Sequence, residues 1–160
     1  MRNEAQTSKP EVRPATREDF VELANNLRPE DAREVSLATG FEDPKLGVML
    51  CRVVSTEAFA IVQGDALIAI FGVTGVPGQF GFPWMLATPL LKDIRKTFLR
   101  ECRKWVQAML SVYGRLENYV WSGNELHIQW LRWMGFKIDP ATPFGVFDEP
   151  FHHFSMSRYV

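Results

Sequence analysis

Apolar and polar positions alternate along the chain in a way that divides it into helices and strands. Glu11 to Ala15 is a short extended segment. Thr16, with Asp19 three residues on, opens a helix through Phe20, Leu23, Ala24 and Leu27. Pro29 interrupts it and restarts a second helix, which Gly40 ends. Asp43-Pro44 opens a short helix over Leu46 to Val54. Ala58–Val62 and Leu67–Val73 then read as strands around a hairpin turn at Gln63 to Ala66. A second turn, Gly75 to Gln79, leads into a strand from Phe80 to Ala87 despite Pro83. Thr88-Pro89 is expected to begin the long helix. Its apolar face carries Ile94, Phe98, Cys102, Trp105, Val106, Met109 and Tyr113, and Gly114 stops it.

The richest segment follows, Leu116 to Phe136, LENYVWSGNELHIQWLRWMGF. Its first part is aromatic and β-branched, as a strand requires. Ser122-Gly123 breaks the strand, and Asn124 is expected to cap the next helix by accepting a first-turn amide. Leu126, Ile128, Trp130, Leu131, Trp133 and Met134 give that helix a wide apolar face, and Gly135 suits a left-handed C-terminal position. Lys137 to Asp139 is extended, Pro140 to Pro150 reads as a loop, and Phe151 to Tyr159 as a last strand. The principal order, β-α-α-β-β-β-α-β-α-β, predicts a single α/β domain over residues 11–160, a mixed central sheet flanked by helices. Residues 1–10 read as a flexible tail.

Composition narrows the function classes. The 160 residues are 46% apolar and 23% charged, with a net charge of −1, so nothing in the bulk charge favours nucleic acid or an acidic membrane. The longest apolar run, Ala66 to Val73, is too short to span a bilayer. Cys51 and Cys102 have no metal-ligand spacing and read as small buried hydrophobes of a cytoplasmic protein. His152-His153 is no metal pair, because neighbours on a strand point to opposite faces. Trp105, Trp130 and Trp133 fall on expected core faces, and no metal site is expected.

The strand, the Asn-capped helix and the final Gly135-Phe136 resemble the C-terminal motif of GNAT-type N-acyltransferases, and Val12 to Phe20 resembles the opening of that superfamily. The resemblance implies an acyl-CoA N-acyltransferase fold with acetyl-CoA as cofactor if the enzyme is active. In the superfamily the pyrophosphate lies on backbone amides of a glycine-rich turn before the long helix. The matching stretch here, Trp84 to Lys96, has no glycine, and Pro89 removes an amide. Leu91, Lys92, Asp93, Ile94 and Arg95, with Asn124, mark the acyl-CoA cleft that the resemblance implies. Leu131 stands where many members carry a proton-donating tyrosine, and it cannot transfer a proton. The strand Phe80 to Ala87 offers no carboxylate base; Glu34, Glu125 and His127 are the candidates that remain. Trp84 and Trp121 end adjacent strands near the entry of acyl-CoA, where they could plug the cleft. Glu30, Asp31 and Glu34 read as a solvated helix face, with an acidic pocket for an amine as the alternative.

One branch is more similar than the enzymes. Asn118-Tyr119-Val120-Trp121, Gly123-Asn124, His127-Ile128, Leu131 and Gly135 resemble the gene 13 product family of short-tailed phages, internal virion proteins of GNAT-like fold. That resemblance implies a phage or prophage protein with virion proteins as partners. It would reside in the host-cell cytoplasm and the virion, with its acyltransferase site degenerate. The rival expectation is an active acetyl-CoA-dependent N-acetyltransferase with a divergent CoA loop.

Overall fold

Thr16 and Asp19 form the expected capping box, each side chain accepting the other's backbone N–H, and so fix where the first helix starts. The computed structural model describes residues 8–94 and 96–158, without the side chains of Lys96 and Thr97. Residues 1–7 of the expected tail, Arg95, and the Tyr159 end of the expected last strand lie outside them.

In chain order the elements are β1 (Glu11–Pro14), α1 (Arg17–Asn25), α2 (Pro29–Thr39), α3 (Pro44–Val54), β2 (Glu57–Gln63), β3 (Ala66–Val76), β4 (Phe80–Ala87), α4 (Lys96–Tyr113), β5 (Arg115–Trp121), α5 (Glu125–Met134), β6 (Lys137–Ile138), β7 (Thr142–Phe144) and β8 (Glu149–Ser157). Among the described residues eight strands make one mixed sheet in the order β1-β2-β3-β4-β5-β8-β6, with β7 also paired to β8. Helices α1–α3 cover one face through Phe20, Leu23, Val35 and Val48. Helices α4 and α5 cover the other through Phe98, Leu99, Met109, Leu110 and Trp130.

One junction decides what the fold can do. Strands β4 and β5 run parallel and share a single register pair, Gly81 with Leu116, beyond which they diverge. Pro83 sits past that pair, so its missing N–H breaks no ladder with β5. Their far ends are held by side chains instead.

Several expectations change here. The long helix does not start at Pro89: a 3-10 turn, Pro89–Asp93, comes first and α4 begins at Lys96. Thr88 imposes that break, since its N–H reaches the Ile68 carbonyl and its hydroxyl donates to the Leu67 and Ile68 carbonyls, pinning the chain to β3. The expected loop over residues 140–150 contains β7, which hairpins onto β8. Trp133 is not in the core; it is exposed, stacked under the Arg103 guanidinium at 3.9 Å. Gly135 is left-handed at φ 97°, as its position required, and Phe136 donates back to the Leu131 carbonyl.

Candidate functional site

Helix α2 begins with Arg28 as its N-cap and places Asp31 and Glu34 one turn apart on the same stripe. That stripe faces the divergent ends of β4 and β5. Asp31 is fully buried, and its Oδ2 accepts the Ala87 backbone N–H at 2.8 Å. Glu34 Oε1 accepts the Trp121 backbone N–H at 2.6 Å. Between the strands, Asn118 donates from Nδ2 to the Pro83 carbonyl at 2.9 Å. Two acids from α2 and an amide from β5 thus occupy backbone groups that pairing with a further strand would have used.

Asn124 ties the cluster together. Its Nδ2 donates to Asp31 Oδ1 and to Glu34 Oε2, each at 2.9 Å, and its Oδ1 accepts from Arg28 at 2.8 Å. It precedes α5 as expected but makes no side-chain cap bond, because the buried network claims its amide. Arg28, itself buried, pairs with Asp31 at 2.9 Å and reaches Glu30 at 3.3 Å. Removing one partner from a buried pair of this kind costs about 3–5 kcal/mol, since the other charge is left without a counter-ion. The solvated-face reading therefore holds for Glu30, which is exposed, and fails for Asp31.

Glu34 and His127, far apart in sequence, meet at this cluster. Their ligand atoms and that of Asp31 all lie within 4.8 Å of one another. His127 Nε2 is buried without a hydrogen-bond partner, 3.5 Å from Asp31 Oδ1. Burial lowers the pKa of the imidazole, and the Asp31 charge opposes that only in part. Loss of water pushes the Glu34 carboxyl up to about 8, against the bond from Trp121, with the neighbouring Asp31 raising it further. The trio has the donor types of a cation site. The carboxylates are already engaged by Arg28, Asn124 and two backbone amides, so an ion would have to displace the Asn124 amide that bridges them.

Four amides in the turn before α4 are spent within the chain. Thr88, Leu90, Leu91 and Ile94 spend their N–H groups on Ile68, the Thr88 hydroxyl, Thr88 and Leu91, and Pro89 has none. Leu91 is buried in the core, whereas Lys92 and Asp93 are exposed. Arg95 lies outside the described residues. Asn124 itself belongs to the polar cluster, bonded to Arg28, Asp31 and Glu34.

Beside the polar cluster a cavity of about 350 Å³ runs between β4 and β5, with lining residues on both faces of the sheet. Trp84 is one of them, and its indole N–H is fixed on Ser55 Oγ at 2.7 Å. Trp121 does not line it; Arg33 lies over its ring. Leu131 is on the wall and packs with Val120 and Phe136. Cys51 and Cys102 also reach it as free thiols, and burial pushes them up to about 11 and about 12, away from thiolate chemistry. Away from the cavity, His152 Nδ1 meets the Asp139 carbonyl, while His153 lies between Asp139 and Glu117.

Sequence reasoning picked out Glu34, His127 and Asn124 but missed Arg28 and Asn118 as members of the site. The available signal was spacing: Arg28, Asp31 and Glu34 recur every third residue, as do Asn124 and His127.

The comparisons bear on the fold. Solved structures cover nearly the whole chain. An 11% identical spermidine N-acetyltransferase from Vibrio cholerae, in complex with CoA and spermine, superposes with a TM-score of 0.65 over 94% of this chain and 96% of its own. The fold is GNAT-like. Its fold is also similar to smu.2055 from Streptococcus mutans UA159, at 14% identity and TM-score 0.66 over 92% of this chain and 98% of that one. AAC(6')-Ib, solved with ribostamycin and coenzyme A, gives 13% identity and 0.65 over 94% of each chain. Residues 67–140, β3 through β6, match the family model described as bacteriophage T7, probable scaffold protein Gp13. No curated protein matches the sequence. Among the described residues no helix is long and apolar enough to cross a membrane.

Proposed function

We propose that this GNAT-like chain is a phage or prophage protein that works by contact with virion proteins, in the host-cell cytoplasm and in the virion, and that its acyltransferase cleft is closed by its own side chains. One observation carries the reading: Asp31 and Glu34 hold the Ala87 and Trp121 amides at the open ends of β4 and β5. A cofactor entering there would have to break bonds to the buried Asp31 and half-buried Glu34 carboxyls, and displacing Asp31 would strand Arg28. The four spent amides at Thr88, Leu90, Leu91 and Ile94, and Leu131 in place of a proton donor, support it. The Gp13 match supplies the phage setting.

The competing reading, an acetyl-CoA-dependent N-acyltransferase, draws on Glu34. A carboxyl with a pKa of about 8, beside His127 and a cavity, is suited to taking a proton from an amine. Calorimetric titration of the protein with acetyl-CoA separates the two. The closed-cleft reading expects no heat of binding at high micromolar ligand; a saturable isotherm followed by turnover on an amine would replace it with the enzyme.

A further inference from the structure

The outer face of α4 and α5, turned away from the sheet, carries chemistry that the cleft does not use. Helix α4 holds Lys96, Arg100, Arg103 and Lys104 but one acid, Glu101. The net charge of −1 for the whole chain therefore conceals a basic face. Arg100, Arg103 and Lys104 are spaced to share one stripe of α4, and all three are exposed. Arg132 and Trp133 of α5 are exposed beside them. None of these residues lines the cavity between β4 and β5.

Arg103 is held in one orientation on this surface. Its Nε and Nη2 donate to the Trp133 carbonyl at 3.0 and 2.7 Å, and the guanidinium lies 3.9 Å over the indole ring. The planar cation is thus fixed before any partner arrives. Arg100 and Arg132 make no ion pair among the described residues, while Lys104 reaches Glu101 at 3.4 Å. On α5 a polar cleft of about 270 Å³ is lined by Glu125, Ile128, Gln129, Arg132 and His152. The Asp139 carbonyl can only accept, so His152 Nδ1 donates to it and Nε2 is left as an acceptor. With Arg132, the Gln129 amide and the Glu125 carboxyl, the cleft presents donors and acceptors side by side.

We propose that this face binds single-stranded nucleic acid. Phosphates lie along Arg100, Lys104 and Arg132, one base stacks on the Arg103 guanidinium, and a neighbouring base turns its edge into the cleft. An acidic peptide would take Arg103 by its N–H fork, and the Nε–Nη2 edge of that fork already serves the Trp133 carbonyl. A duplex keeps its bases paired and stacked, so it reaches the cations only. The proposal stands whether or not acyl-CoA enters the cleft.

Fluorescence anisotropy of the whole protein with a fluorescein-labelled thymidine dodecanucleotide tests this. Saturable binding is expected, with a dissociation constant on the order of 10 μM at 50 mM salt. It should weaken about twenty- to fiftyfold by 200 mM salt, as for roughly three or four neutralised phosphates. Arg103→Lys keeps the charge and loses the plane, so it should weaken binding roughly tenfold with little change in salt dependence. Undiminished affinity of that variant, equal affinity for the corresponding duplex or for polyglutamate, or no binding at 50 mM salt overturns the proposal. Displacement of the strand by excess acetyl-CoA also overturns it, by locating the strand in the cleft. If Arg103→Lys does not fold, NMR titration of the wild type with the same oligonucleotide provides the decision. Shifts of the Trp133 indole and Arg103 Nε–H resonances are expected, and unmoved resonances refute the site.

Discussion

At the scale of single residues, Glu34 carries the most information. Its carboxyl has a folded pKa of about 8, against 4.5 for the free group, because enclosure removes water from the charged form. The folded state therefore holds a proton between those values that the unfolded chain has lost, and stability falls as pH rises through that window. His127 acts in the opposite sense below 6.5, since its lowered pKa makes acid unfavourable to the fold. Above pH 6.5 the Glu34 effect stands alone among this pair. Urea unfolding at pH 6.5 and 8.5 should show the wild type losing on the order of 1–2 kcal/mol, at 1.36 kcal/mol per pKa unit. Glu34→Gln should flatten that loss; an unchanged slope would mean that the carboxyl is not enclosed. Nothing in the sequence signals this shift, because it arises where a residue of α2 meets the Trp121 amide 87 positions away.

At the scale of elements, α2 and α3 show how closely the layer over the cleft is built. Gly47 lies in the middle of α3, where an alanine would ordinarily raise helix propensity by about 1 kcal/mol. A Cβ at that position would run into Val35 Cγ1 of α2. Gly47→Ala should therefore destabilise the protein by about 1–3 kcal/mol through overpacking, and Val35→Ala in the same chain should restore part of it. Chemical denaturation of the two variants checks this, and a more stable Gly47→Ala would contradict the packing. The helices themselves were legible in the sequence, because capping and stop residues at Thr16, Asp19, Pro29, Gly40 and Asp43 act locally. The false start of α4 at Pro89 was not. Pro at a first turn is compatible with either helix type, and the deciding contact, Thr88 on the Leu67 and Ile68 carbonyls, is tertiary. Trp133 fails for a related reason: its helical spacing fits the core face, but Arg103 of α4 holds the ring at the surface.

At the scale of the molecule, the GNAT-like sheet was readable from the element order and from the Asn118-to-Gly135 segment. The closure of its cleft was not, since three separate stretches converge there: Arg28 to Glu34, Asn118 and Asn124 to His127. That convergence gives the parallel β4–β5 junction a way to be stable with a single register pair. It also makes the junction a poor host for a cofactor. Hydrogen exchange of the Ala87 and Trp121 amides, followed by NMR in the ligand-free protein, tests this most directly. Bonds to the buried Asp31 and half-buried Glu34 carboxyls predict strong protection at both positions and no change in their resonances when acetyl-CoA is added. Rapid exchange at both amides, with shifts on adding acetyl-CoA, would show an open cleft and contradict the account.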